Sequence, residues 1–429
     1  MITKENGLRY AKLVHVSIDN GMTDNSNKVY IMEELSDGRI QCEYGRVGKN
    51  MTTVFKNKYE WDKILKEKTS LKKGYTDVTE FLAEPVVDDT KSVNIQKTED
   101  IKNSAVKKLI DELMSFANKS IQRNYKVTQD AVSEQQVLAA QEIIDRISAI
   151  MILGADKKLV NDMLLKLYTI IPRKMDNVRD YLIDEINNAK SLEDAQKFIG
   201  QEQSTLDTMA GQVQLLKQQK AISEAPEEEK VDQITILDQM GLSVEEELDK
   251  ETLALVSKLM GPNAHQVKKV FKVVNTKTQK IFDGHYDKAS VKKRRLYWHG
   301  SRNENWFNIL QTGLLIRPSG AVHTGSMFGD GIYFADKAQK SIGYSSLRGS
   351  YWTKGGDDKA FLALFDVHVG NQKEILHHTS SCYSLSAGVL KNDNYDSVFA
   401  KGGADLRNNE FIVYDAAQCT VSHLVQIGN

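Results

Sequence analysis

Residues 325–336 read GSMFGDGIYFAD. The glycines suggest a phosphate cradle, but their spacing is G-x-G-x-x-F, not G-x-G-x-x-G. An aromatic, strand-like run follows where a Rossmann unit needs a helix N-terminus, which argues against dinucleotide binding of that kind. The stretch predicts instead a tight turn that delivers Tyr333 on a short strand. KSIGY comes next, with Ser341 and Tyr344 a few residues on. Working outward, VKKVFKVV (267–274), RLYWHG (295–300), AFLALFDVHVG (360–370) and EFIVYDAAQ (410–418) also read as strands, with glycine clusters between them. Residues 232–429 therefore read as a mixed α/β domain.

Upstream the pattern changes twice. VYIMEEL (29–35), RIQCEYGRVG (39–48) and TTVF (52–55) alternate between turn signals, and YEWDKILKEKTSLKKGY (59–75) follows as a charged helical stretch. Residues 1–90 thus read as a small antiparallel sheet with a helix. Between Arg46 and Lys73 nine Lys/Arg stand against three Asp/Glu, which predicts a basic surface or a solvated helix face. PVVDDTKSVNIQKTED (85–100) lacks periodicity and reads as a linker. From 98 to 222 the spacing is helical and predicts an all-α bundle. Ser133 and Gln136 form a capping-box pair before Val137, Ala140, Ile144, Ile147 and Met151, with Gly154 closing that helix. A second helix covers 159–171 and ends at Pro172; a third opens at SLEDAQKFI (191–199), with Ser191 and Asp194 at its start. SEAPEEEK (223–230) is an acidic break. The fold class is a multidomain α+β chain.

With 429 residues and a formal net charge of −1, the chain has no global field that would announce a polyanionic partner. Cys42, Cys382 and Cys419 are far apart and carry no zinc-ligand spacing, which fits a reducing compartment. No apolar run reaches membrane-span length and no signal-peptide core is present, so a soluble intracellular protein is expected. KKRR (292–295) has the composition of a targeting signal but runs straight into an apolar strand.

The sequence around His299, YWHGSRNENW (297–306), is either a ligand-binding corner or a buried strand end when read alone. WHGSRNENWFNIL, TGSMFGDGIYFADKAQKSIGYSS and NNEFIVYDAAQ together resemble the catalytic domain of the poly(ADP-ribose) polymerases, the His-Tyr-Glu class of ADP-ribosyltransferases. The likeness covers about residues 240–429. The helical segment resembles the regulatory helical domain of the DNA-dependent members. Residues 1–90 resemble their WGR domain, with Tyr44 in place of the usual tryptophan in YGRVG.

The resemblance implies NAD+ as substrate and no metal. It implies that His299 bonds a ribose hydroxyl, that Gly300 and Ser341 grip the nicotinamide carboxamide, and that Tyr344 stacks on its ring. Tyr333, Phe334 and Ala335 would line the pocket, and Ser301, Arg302 and Asn305 would bind NAD+ nearby. Lys340 matches a lysine that assists transfer. Glu410 would orient the ribose 2′-hydroxyl and activate the acceptor during chain extension. Leu315 and Ser326 stand where several members carry an arginine and a tyrosine. Damaged or nicked DNA would be met by Tyr44, Arg46 and Lys49, and protein acceptors would include the chain itself. The implied function is DNA-break-stimulated ADP-ribosyl transfer, in a bacterial nucleoid or a eukaryotic nucleus. Single-unit transfer or NAD+ hydrolysis on the same fold, and a non-catalytic DNA-end scaffold, are the alternatives.

Overall fold

The computed structural model describes residues 2–3, 7–18, 25–81, 101–124, 132–152, 156–223, 235–316, 327–351 and 353–428. The stretches read as a linker (85–100) and as an acidic break (from 224), together with Gly154 and Ser326, lie outside the described residues. Two compact units emerge. One holds the N-terminal sheet and the helices up to residue 213; the other holds residues 94–119 and nearly everything from 214 onward.

In the first unit β1 (Ile2–Thr3), β2 (Arg9–Ile18), β3 (Asn25–Glu34), β4 (Arg39–Arg46) and β5 (Thr52–Asn57) lie in that order, and β6 (Thr76–Asp77) pairs with β2. Every pairing is antiparallel. Helix α1 (Trp61–Lys68) is shorter than the charged stretch around it. It closes one face of the sheet by burying Trp61 among Leu13, Tyr30, Met32, Ile40 and Cys42. The second unit begins with α2 (Ser104–Asn124), whose residues up to 119 belong to it.

The remaining helices of the first unit are α3 (Glu134–Ile152), α4 (Lys157–Ile170) and α5 (Ala189–Ser223), the last continuing past residue 213. They bury Ile144, Ile147, Leu164, Leu167, Tyr168, Ile199 and Leu206 in one core. Ser133 and Gln136 cap α3 reciprocally, as their spacing predicts. At α5 the cap is Asn188, whose side chain accepts from the Ser191 N–H at 2.9 Å while Ser191 Oγ accepts from the Asn188 N–H. Asp194 lies beyond it.

The second unit is built on two sheets. After α6 (Ile236–Met240) come β7 (Leu242–Glu246), α7 (Lys250–Met260), β8 (Val267–Asn275), α8 (Thr276–Lys288), β9 (Arg294–Gly300), α9 (Asn303–Thr312), β10 (Ile332–Phe334) and α10 (Ala338–Ile342). Then follow β11 (Lys359–His368), β12 (Gln372–Ile375), α11 (Ala387–Asn392), β13 (Ser397–Ala400), β14 (Glu410–Val413) and β15 (Cys419–Gly428). One sheet runs β7-β8-β15-β11-β9 and the other β10-β14-β13-β12. The apolar run at 360–370 becomes β11, a central strand buried on both faces. Phe361, Ala363, Phe365 and Val367 meet a core shared with Val106, Leu109, Ile110 and Leu113 of α2. Ala360, Leu362 and Leu364 face Val256 and Met260 of α7. Glu112 and Lys359 pair at 2.6 Å, tying α2 to the start of β11. No described helix is long and apolar enough to cross a membrane.

Candidate active site

The two sheets of the second unit touch where Trp298 of β9 and Ala335, just past β10, exchange backbone hydrogen bonds of 2.8 and 2.9 Å. The next residue of β9 is His299. Its Nδ1–H donates to the Tyr333 carbonyl at 3.0 Å, and its ring lies edge-on to Trp306, Phe334 and Phe365. Burial holds the imidazole below its ordinary titration range, against the opposing pull of that hydrogen bond. A carbonyl can only accept, so the proton of the neutral ring sits on Nδ1 and leaves Nε2 as an acceptor. His299 is thereby set to receive a hydroxyl hydrogen, not to deliver a proton.

Gly300 is required by close approach. A Cβ there would lie 2.0 Å from the Ser341 carbonyl oxygen, so any side chain would force β9 and α10 apart. Ser341 is buried and Tyr344 half-buried. Burial and, after it, the Glu410 charge push the Tyr344 phenol up to about 12, so this ring stays neutral. Ser301 and Asn305 bond each other at 3.0 Å, and Arg302 lies 3.9 Å from Glu304.

Glu410 opens β14, in the other sheet from His299. Phe334 pairs with Phe411, and the rings of Tyr297, Phe411 and Phe399 stack at 4.0 and 4.8 Å. The stack fixes the residue beside Phe411 against β9. Glu410 is 9% exposed. Its Oε1 pairs with Lys340 of α10, and its Oε2 has no hydrogen-bond partner among the described residues. A buried carboxylate oxygen left unpaired is costly in a folded protein. A ribose hydroxyl donated to Oε2 would satisfy it, so the residues present fit the nucleotide that the motifs imply.

Tyr333 takes a structural place. Its hydroxyl donates to the Gly329 carbonyl at 2.8 Å and accepts from the Phe328 N–H at 3.0 Å, which closes the turn before β10. Burial pushes its phenol well above the ordinary range. Phe334 and Ala335 are both buried, Phe334 as a wall for His299 and Ala335 in the ladder with Trp298. Leu315 is exposed.

Two further residues lie inside the quoted strings without having been singled out. Asn409 donates to Asp336 at 2.7 Å and accepts from the Gly402 N–H at 2.9 Å, so the residue before Glu410 is clamped from both sides. Asn303, wholly buried, ties α9 to Asp357, Lys359 and Ser346. The nearest sequence signal is the NN pair before Glu410, which reads as an ordinary turn.

In the first unit Arg46 and Lys49 are both engaged with the segment at 175–176. The Arg46 guanidinium donates to the carbonyls of Met175 and Asp176 and to Asn25 Oδ1, at 3.0, 2.6 and 2.7 Å. Lys49 pairs with Asp176 at 3.0 Å. Tyr44 is 37% exposed and stacks on Tyr30 at 5.5 Å.

Residues 250–429 match the family model of the poly(ADP-ribose) polymerase catalytic domain. The poly [ADP-ribose] polymerase-like protein 100L of Invertebrate iridescent virus 6 is 33% identical over 162 residues, 37% of this chain and 84% of the viral one. Poly [ADP-ribose] polymerase 2 of Arabidopsis thaliana is 33% identical over 162 residues, 32% of this chain and 24% of its own. Poly [ADP-ribose] polymerase 1 of Danio rerio is 24% identical over 337 residues, 69% of this chain and 30% of the fish protein. With its catalytic segment matched and a relative covered over most of its length, the chain belongs to the poly(ADP-ribose) polymerase family and is an NAD+ ADP-ribosyltransferase.

Proposed function

We propose that the enzyme is switched on by DNA breaks and builds ADP-ribose polymer on protein acceptors, itself included. The observation that carries the catalytic half is the Glu410 carboxylate, anchored through one oxygen by Lys340 and unpaired at the other. Cleaving the nicotinamide–ribose bond builds positive charge on the sugar, as glycoside hydrolysis does. A fixed carboxylate stabilises that charge more in the transition state than in the ground state. His299 Nε2 would accept a ribose hydroxyl, Gly300 and Ser341 the carboxamide, and Tyr344 the ring, with Ser301, Arg302 and Asn305 close by. In extension the same Glu410 oxygen would take the acceptor's proton.

The regulatory half rests on the first unit. The match to the zebrafish protein covers more of the chain than residues 250–429, so the likeness is not confined to the catalytic segment. We read the helices as a gate whose closed and open populations DNA shifts. Incubation with labelled NAD+, with and without nicked DNA, tests the whole reading. A DNA-dependent smear of automodified protein supports it. A sharp band marks single transfer, and no label marks a scaffold.

Two expectations arise here. Because Arg46 is committed to Met175 and Asp176, its charge reversal should loosen that segment and alter DNA-free turnover itself, whatever it does to DNA contact. Lys63 and Lys66, exposed on α1, are better probes of the basic face. Reversing both lysines should lower DNA stimulation and reduce the salt slope of activation by about 0.9 per lost phosphate contact, with basal turnover intact. An unchanged slope would make this face merely solvated.

The second concerns pH. Since burial sets the His299 value below the ordinary imidazole range, the ring stays neutral through about pH 6.5 and gains a proton only in more acid solution. Protonation removes the Nε2 lone pair. The KM for NAD+ should therefore be flat from pH 8 to about 6.5 and rise below it. A rise centred at or above that value would show that His299 titrates normally.

A further inference from the structure

The charge on the second unit is unevenly placed. From Lys268 to Arg295 ten Lys/Arg stand against two Asp/Glu, in a chain whose formal net charge is −1. Helix α8 turns Phe282 inward, stacked on Tyr286 at 6.0 Å, and so presents Lys277, Lys280, Ile281, Gly284 and Lys288 along one outer stripe. The exposed loop after it continues the stripe with Lys292, which lies 5.7 Å from the Tyr286 ring. Arg294 is paired with Asp366 and Lys293 bonds Gln372. Lys277, Lys280, Lys288 and Lys292 have no ion-pair partner among the described residues. Asp283 and Asp287 are exposed on the same helix, but the four lysines outnumber them and stay unpaired; that excess of like charge is self-repelling, and a bound polyanion would relieve it.

We infer that the outer face of α8, with the loop to β9, grips the phosphate backbone of duplex DNA. The site is separate from the catalytic one: Arg294 opens β9 and His299 lies five residues on, roughly 17 Å away at strand spacing. The choice of duplex follows from what the face lacks. Tyr286 beside it is half-buried, its ring packed on Phe282 and His368 and its hydroxyl on the Lys292 carbonyl, so the exposed apolar groups are the aliphatic Ile281 and Val291. Single strands and ADP-ribose polymers expose rings, and surfaces that hold them offer aromatic platforms. A duplex hides its bases and presents phosphates, which lysines alone can meet.

The test uses the full chain carrying Lys280→Glu, Lys288→Glu and Lys292→Glu, with fluorescently labelled blunt duplex, single-stranded DNA and purified ADP-ribose polymer titrated by anisotropy across salt. The triple variant should bind duplex more weakly. Its slope of log affinity against log salt should be shallower by about 2.7, with melting curve and DNA-free NAD+ turnover unchanged. The neutral set Lys280→Gln, Lys288→Gln and Lys292→Gln must move the slope in the same direction, which guards against an effect of misfolding. A slope equal to that of the unaltered chain in both sets overturns the inference and leaves a solvated face. So does a weakening as large on single strands or on polymer as on duplex. Binding is read directly, so either failure leaves break-stimulated activity to be judged on its own.

Discussion

Arg173→Met should cost the helical part of the first unit about 3–5 kcal/mol and lower its melting temperature. Arg173 and Glu202 form a two-pronged pair of 3.0 and 2.5 Å, with side chains only 4% and 7% exposed. The Tyr168 and Tyr181 rings stand 4.6 and 5.4 Å from the guanidinium carbon and keep water away. Removing the cation strands a carboxylate on α5 in that dry place, which is the expensive half of a buried ion pair. Converting both residues, Arg173→Met with Glu202→Leu, removes both charges at once and should recover most of the loss. Under the proposed gate the site also bears on regulation. The Arg173 carbonyl accepts from Asn27 of β3 at 2.8 Å, and Arg46 holds the residues just after it. One short segment thus joins the N-terminal sheet to α5. Under the gating reading, loosening it favours the open population, so Arg173→Met should raise NAD+ turnover without DNA toward the DNA-stimulated level. A lower melting temperature with unchanged DNA-free turnover would sink the gate while leaving the stability argument intact.

The elements legible in the sequence were those whose burial pattern is local. β11 announces itself as an unbroken apolar run because both of its faces are covered, and α3 and α4 by helical spacing. Strands with a mixed or divided burial pattern are not legible in this way. β15 is placed between β8 and β11 by pairings across the whole unit, with a register shift beside Phe365 and polar Ser422, His423 and Gln426 along it. β2 was missed although Ala11, Leu13 and Val14 are fully buried, because its inward residues serve two separate clusters and break simple alternation. The same limit applies to the site. His299, Tyr333, Lys340 and Glu410 sit in recognisable strings, but that Lys340 pairs with Glu410 is a fact of tertiary register. Arg46 shows the converse: its charge is plain in the sequence, and its commitment to backbone carbonyls 129 and 130 residues away is not.

Glu410→Gln should reduce turnover about a hundredfold and abolish polymer before it abolishes single transfer. The carboxylate is buried, with Oε1 on Lys340 and Oε2 unpaired, so it faces the reacting sugar from a partly dry wall where one charge interaction is worth on the order of 3 kcal/mol. Glutamine keeps the shape and one acceptor but loses the charge and the basicity. It also leaves Lys340 facing an amide, so the cation is no longer neutralised beside a developing positive charge. NAD+ binding should survive, because His299, Gly300, Ser341 and Tyr344 are held by β9 and α10, not by β14. Under the proposed roles, extension needs Glu410 twice, to steady the sugar and to take the acceptor's proton, whereas hydrolysis and first transfer need it once. The automodified protein should therefore run as a sharp band in place of a smear, with KM for NAD+ within a few-fold of normal. Asn409→Ala separates charge from position: it frees the clamp to Asp336 and Gly402, and should lower the rate while leaving some polymer. A full smear at near-normal rate from Glu410→Gln would mean that the ion pair with Lys340 merely fastens α10 to β14, and that the sugar's charge is met elsewhere.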